Sequence, residues 1–183
     1  MAVHSELRRL LAHDLVPEAA VAPLGDLRNL RLECSEAEGD VSFVRRVAQG
    51  RLDVLGHETR RRADRRTNSS EGYGNALIYD LPEILSEGNG SAGAAGRHVS
   101  VHEPGELAQG LLGELDGVVS PSELASVEEL DSDRLAVVIE SLSSFEVDLS
   151  GTRRRLHERI DSIQGEIARR YRDGEASIET LLK

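Results

Sequence analysis

Apolar residues between Leu24 and Arg66 recur in alternating steps of three and four. They are Leu27, Leu30, Cys34, Ala37, Val41, Val44, Ala48 and Leu55, with Arg51 as one polar break. That rhythm predicts a long helix with a coiled-coil seam. A second such helix is predicted from about Ser132 towards the C-terminus. Leu135, Val138, Leu142, Phe145, Leu149, Leu156, Ile160, Ile163, Ile167 and Tyr171 trace its apolar side, and the rhythm slips between Leu149 and Ile160. Either helix is marginal in isolation, so each buries its seam most cheaply on the other. The long segment between them permits an antiparallel pair. The expected fold is all-α: a long antiparallel two-helix coiled coil, with short helices and a flexible linker between the long helices.

The pattern divides the chain into four parts. Residues 1–23 form an N-terminal arm, a short amphipathic helix with Leu7, Leu10 and Leu11 on one side, expected to be mobile. Residues 24–66 form the first coiled-coil helix. Residues 67–131 read as a flexible acidic linker with short helices, its Ser/Gly-rich stretches NSSEGYGN and SEGNGSAGAAG flanking the apolar island ALIYDLPEIL. Within it, Ser120-Pro121-Ser122-Glu123 reads as an N-cap, a proline at the first helical position and a capping-box glutamate. Residues 132–183 form the second coiled-coil helix.

Each long helix also carries a polar row. Glu38, Ser42, Arg45, Gln49 and Asp53 stand at offsets that fall within an arc of roughly 80° on a helix advancing about 100° per residue. The same spacing returns at Glu146, Ser150, Arg153, His157 and Asp161, with histidine in place of glutamine. Two copies of one row point to a two-fold arrangement.

Composition narrows the class. The chain has no tryptophan, and its only phenylalanines are Phe43 and Phe145, which argues against a thick layered core. The N-terminus MAVHSELRRLL lacks a long apolar run, so neither a signal peptide nor a membrane span is expected. The single Cys34 has no internal disulfide partner. A cytoplasmic location is expected. Net charge is −11, and residues 67–148 hold 16 acidic against two basic residues. So acidic a middle disfavours direct nucleic-acid binding and favours a protein that itself carries a basic surface. Arg60, Arg61, Arg62, Arg65 and Arg66 suit the C-terminal end of a helix dipole.

Signs of catalysis are few. Gly88, Gly90 and Gly93 satisfy G-x-G-x-x-G, but no strand precedes them and no amphipathic helix follows at once. His98 and His102 lack a third metal ligand nearby. With no P-loop or nucleophile elbow, the chain reads as a binding protein rather than an enzyme, with no metal and no resident cofactor.

Polar residues three and four apart on a helix are often a solvated face, contributing only about 0.2–0.5 kcal/mol per pair. The second copy favours a ligand. An arginine fork suits guanine O6 and N7. A carboxylate accepts from guanine N1–H and N2–H, and serine or glutamine reaches ribose or phosphate. Arg46, Arg154 and Arg155 beside the rows would offset phosphate charge. No aromatic lies in either row to stack on a base, which favours a self-stacked dinucleotide. Gly39, Gly50, Gly151 and Gly165 interrupt the helices at about 1 kcal/mol each relative to alanine. They reflect either close approach of a ligand or tolerated drift.

The pattern E-x3-S-x2-R-x3-Q-x3-D on two coiled-coil helices resembles the RsiG family of actinobacterial anti-sigma factors. So do DLRNLRLECSEAEGDVSFVRRVAQGRLDVL, the DLPEILSE island and the terminal EIARRYRDGEASIETLL. The resemblance implies binding of cyclic di-GMP as an intercalated pair on an antiparallel coiled coil. It also implies sequestration of the flagellar-type sporulation sigma factor WhiG away from RNA polymerase. By the same resemblance the ligand contacts are Glu38, Ser42, Arg45, Gln49 and Asp53 with Glu146, Ser150, Arg153, His157 and Asp161. His157 departs from the pattern. The competing expectation is a coiled-coil protein-interaction module without a small-molecule ligand.

Overall fold

A computed structural model describes residues 2–12, 22–67 and 103–174. Among the described residues, five α-helices and one 3-10 turn follow in order: α1 Ala2–Leu10, α2 Leu24–Thr67, α3 Glu106–Val118, α4 Pro121–Ala125, η1 Val127–Glu129 and α5 Ser132–Arg172. The described residues contain no strand. The fold is all-α, with two long antiparallel helices and short helices between them in the chain, as the three-four rhythm predicts. No described helix is long and apolar enough to cross a membrane.

Local chemistry sets the helix ends. Asp131 Oδ1 accepts from Arg134 N at 2.7 Å, an N-cap for α5. Its other end closes at Gly174, whose φ of 73° is the left-handed conformation that favours glycine. Ser120 caps α4: its Oγ accepts from Glu123 N at 3.2 Å, and Glu123 Oε2 accepts from Ser120 N at 3.1 Å.

The described residues fall into two compact units. In the first, made of residues 2–12, 22–46, 103–114 and 146–174, α2 and α5 run antiparallel. Arg28 bonds Tyr171 and lies over its ring, Glu38 meets Arg153, and Arg45 meets Glu146. Leu27, Cys34, Ala37, Val41 and Val44 are buried on α2, and Leu149, Leu156, Ile163 and Ile167 on α5. The rhythm does not skip the interval after Leu156. Arg159 and Arg170 are buried there, while Ile160 is only half-buried. Arg170 is satisfied by Glu166 at 2.8 Å and by the Ala22 carbonyl at 2.5 Å.

The arm is packed over its described residues. Leu7 and Leu10 of α1 are buried, Arg9 bonds Glu33 at 2.8 Å, and Arg155 donates to the Leu11 carbonyl at 3.3 Å. Two leucines three apart give even a nine-residue helix an apolar edge to bury, so the expectation of a mobile arm is corrected over residues 2–12.

The short helices expected in the linker are present over residues 103–131, and they are packed. Leu107, Ala108 and Leu111 are buried in the first unit. Asp40 of α2, itself buried, accepts from Gly105 N at 2.9 Å and Ala108 N at 3.1 Å. A side chain from another helix thereby satisfies two of the unpaired N–H groups that begin α3. A Cβ on residue 105 would stand 2.8 Å from Asp40 Oδ2, so the glycine permits the approach.

The second unit comprises residues 47–67 and 115–145. Ala48, Leu55, Leu115, Val119, Val127, Leu135, Val138 and Leu142 are its buried apolar residues. Arg51, the polar break in the seam, donates to the Val119 and Leu115 carbonyls at 2.7 and 3.4 Å and to Asp116 at 2.6 Å. It covers carbonyls at the end of α3. Glu58 is fully buried, yet it accepts from Arg61 at 2.6 Å and Arg62 at 2.5 Å. Arg62 also donates to the Val127, Glu128 and Leu130 carbonyls. These two arginines therefore tie the unit together as well as suiting a helix dipole. The apolar island, the G-x-G-x-x-G stretch, His98 and His102 lie outside the described residues.

Candidate functional site

Eight of the ten predicted site residues share the first unit, and seven of them interlock there. The i, i+4 spacing stacks Ser42 over Glu38 and Ser150 over Glu146. Ser42 Oγ donates to Glu38 Oε1 at 2.6 Å, and Ser150 Oγ donates to Glu146 Oε1 at 3.0 Å. Each glutamate then takes a guanidinium from the opposite helix. Arg153 Nε donates to Glu38 Oε1 at 3.1 Å, and Arg45 Nη1 donates to Glu146 Oε1 at 3.2 Å. The two rows are thus reciprocal, related by a pseudo-two-fold between antiparallel helices.

His157 Nε2 lies 3.1 Å from the same Glu38 oxygen. Asp161 is exposed one turn further along α5. Gln49 and Asp53 follow Arg45 on α2 but belong to the second unit, the first half-buried and the second exposed. Arg46, Arg154 and Arg155 are exposed.

The pairs lie at the edge of solvent. Side-chain exposure is 17% for Glu146, 20% for Glu38, 21% for Arg45 and 40% for Arg153. Burial opposes the charge on Glu38, but the Ser42 hydroxyl, His157 and Arg153 outweigh it and hold its carboxyl below the usual range. Arg45 Nε is buried with no hydrogen-bond partner, so part of this donor fork is unused. Arginine forks and carboxylates side by side are a donor and acceptor set suited to the edge of a guanine.

A side chain at Gly50, Gly151 or Gly165 would meet nothing within 4 Å, so no packing among the described residues requires those glycines. The residues that sequence reasoning missed, Asp40, Gly105, Glu58 and Arg159, act in packing. Asp40 stands in AEGDVSFV beside Glu38 and Ser42, and nothing in that stretch sets it apart as a cap in advance.

The RsiG-like family model matches residues 13–85 and 121–183, leaving out α1 and α3. No curated protein matches the chain. The matched segments contain both polar rows and the whole of both long helices. The chain therefore belongs to the RsiG-like family, which points to an anti-sigma factor role with a sigma factor as partner.

Proposed function

We propose that this protein is a cyclic di-GMP-dependent anti-sigma factor. It binds a dinucleotide dimer on its coiled coil and sequesters a flagellar-type sporulation sigma factor, blocking transcription initiation. The observation that carries this reading is the reciprocal bonding of Glu38 to Arg153 and of Glu146 to Arg45. Two guanine-reading pairs on facing helices match a ligand with two-fold symmetry. Arg45 and Arg153 would take guanine acceptor edges, Glu38, Glu146, Asp53 and Asp161 the donor edges. Ser42, Ser150, Gln49 and His157 would reach ribose or phosphate.

The ligand acts only if it favours one state of the helix pair or bridges to the partner. Here it would exchange carboxylate–arginine contacts within the protein for contacts to guanine. A pull-down with candidate sigma factors, with and without cyclic di-GMP, tests the whole reading. Retention of a sigma factor only with the nucleotide is the expected result; equal retention without it refutes ligand dependence.

A second reading is a protein-interaction coiled coil with no small ligand. It draws on the fact that both glutamates already have donors from the opposite helix. A thermal-shift screen against guanine nucleotides separates the two, because a specific ligand raises the melting temperature.

A further inference from the structure

Among the described residues two arginines are buried, both on α5, and their surroundings differ. Arg170 bonds to Glu166 and to the Ala22 carbonyl. Arg159, between the buried Leu156 and Ile163, is 9% exposed. Its Nε and Nη2 are shielded from solvent, and neither has a hydrogen-bond partner among the described residues. These two nitrogens share one edge of the planar guanidinium, the edge that grips an anion side-on. A guanidinium cannot discard its proton to escape burial, so a charge held in this way calls for a counter-charge.

The neighbours do not supply it. Cys34 of α2 is close enough for Arg159 to act on its thiol, but burial pushes that thiol above its ordinary value and keeps it neutral near neutrality. Glu33, next to Cys34 in the chain, is taken by Arg9 at 2.8 Å. Glu6, the one carboxylate of α1, lines a cleft with Asp40 and Glu106 instead. Glu158 adjoins Arg159 in the chain, but it is exposed and about 100° round the helix. Arg155, one turn before Arg159 on the same face of α5, brings a further positive charge where it donates to the Leu11 carbonyl. Positive charge is therefore in excess where α1 meets α2 and α5: Arg9, Arg155 and Arg159 against Glu33.

We infer that Arg159 binds a small inorganic anion, of the size of chloride, at the junction of α1, α2 and α5. Its Nε–H and Nη2–H both donate to the ion. The ion offsets a charge that helix packing closes off from water, and so stabilises the docked arrangement of the three helices. Only a small anion suits a guanidinium nine-tenths covered by protein. The site lies one turn and more from the polar rows on another face of α5, and it does not depend on the nucleotide reading.

Thermal denaturation of the full chain tests this, with sodium chloride replacing sodium gluconate at constant ionic strength. The wild-type midpoint should rise and then level off, by roughly 3–6 °C at a chloride concentration about ten times the dissociation constant. Arg159→Met keeps an apolar stem with no charge to offset. Its midpoint should not respond to chloride, and in gluconate it should stand at or above that of the wild type. Arg159→Lys keeps the charge without the fork and should respond less than the wild type. A wild-type midpoint indifferent to chloride overturns the inference. An equal rise in the wild type and both variants is salt acting on the surface at large, and overturns it too. Should Arg159→Met fail to fold, the lysine comparison decides: a response equal to that of the wild type refutes a site built on the fork.

Discussion

Arg153 and Glu38 are 115 positions apart in the chain, yet the Nε of one lies 3.1 Å from the Oε1 of the other. Arg45 and Glu146 repeat the relationship with the helices exchanged, at 3.2 Å. Partial exposure limits what such a pair adds to stability. A double-mutant cycle of Arg153→Ala and Glu38→Ala, read by urea denaturation, should give a coupling of about 0.2–1 kcal/mol. The same Arg153→Ala, like Arg45→Ala, should abolish cyclic di-GMP binding in calorimetry while leaving the circular dichroism of the helices unchanged. Wild-type affinity in both variants contradicts the assignment of the rows.

Asp40 supplies α3 with the cap that its own sequence lacks, because Gly105 at the cap position has no side chain. Asp40→Ala removes both bonds and leaves backbone donors unmet in a buried place. The expected loss is about 1–3 kcal/mol in chemical denaturation. Gly105→Ala should also destabilise, since its methyl group would overlap the Asp40 carboxylate. Asp40→Ala in the Gly105→Ala background should cost less than in the wild type.

The long helices were legible because burying a seam leaves a periodic mark on the sequence. Leu27 through Val44 kept that mark, and all but Leu30 of the predicted positions there are buried. The mark failed at Arg159, where periodicity chose the apolar neighbour Ile160. A long arginine stem fills a seam position without looking hydrophobic. The polar rows were legible as spacing, and antiparallel pairing of the helices follows from needing to bury both seams. What spacing does not encode is which carboxylate meets which arginine; that depends on the register between helices. The docking of α1 and α3 was missed because single residues decide it: Leu10, Asp40, and the missing side chain of Gly105.

Glu58 carries a sign that can be checked by acid titration. Burial raises its carboxyl, but hydrogen bonds from Arg61 and Arg62 outweigh burial and hold it below the ordinary value. A group depressed on folding stabilises the protein above its unfolded pKa and loses that contribution as pH falls through the folded one. Wild-type stability should therefore decline below about pH 4.5, the ordinary carboxyl value. Glu58→Gln should be less stable near neutrality, by about 1–3 kcal/mol, with a shallower acid limb. Glu166, held at about 2 by Arg169 and Arg170, should lose its contribution progressively as pH falls from about 4.5 to about 2.

Gly165 sits inside α5 with open space where a side chain would go. Gly165→Ala should stabilise by up to about 1 kcal/mol, because alanine gives up less backbone freedom on forming a helix. Thermal denaturation should show a higher midpoint, with nucleotide affinity unchanged. A lowered midpoint would show that something not bonded within the chain needs the gap.

Arg51 offers the sharpest contrast between pattern and structure. By heptad reasoning it is a defect, and Arg51→Leu restores the apolar seam. By contacts it is an anchor: its guanidinium covers the Val119 and Leu115 carbonyls and pairs with Asp116. Leucine would add apolar burial but leave those carbonyls without their donor. Removing a charged donor from partly buried acceptors costs about 1–3 kcal/mol, comparable to or larger than what one leucine gains at a half-buried position. Arg51→Leu should therefore destabilise, and Arg51→Lys should recover only part, because an ammonium does not present a fork to several acceptors at once. Equilibrium urea melts of the three proteins should rank wild type above lysine above leucine. A leucine variant more stable than the wild type would mean that the seam, and not the end of α3, governs this position.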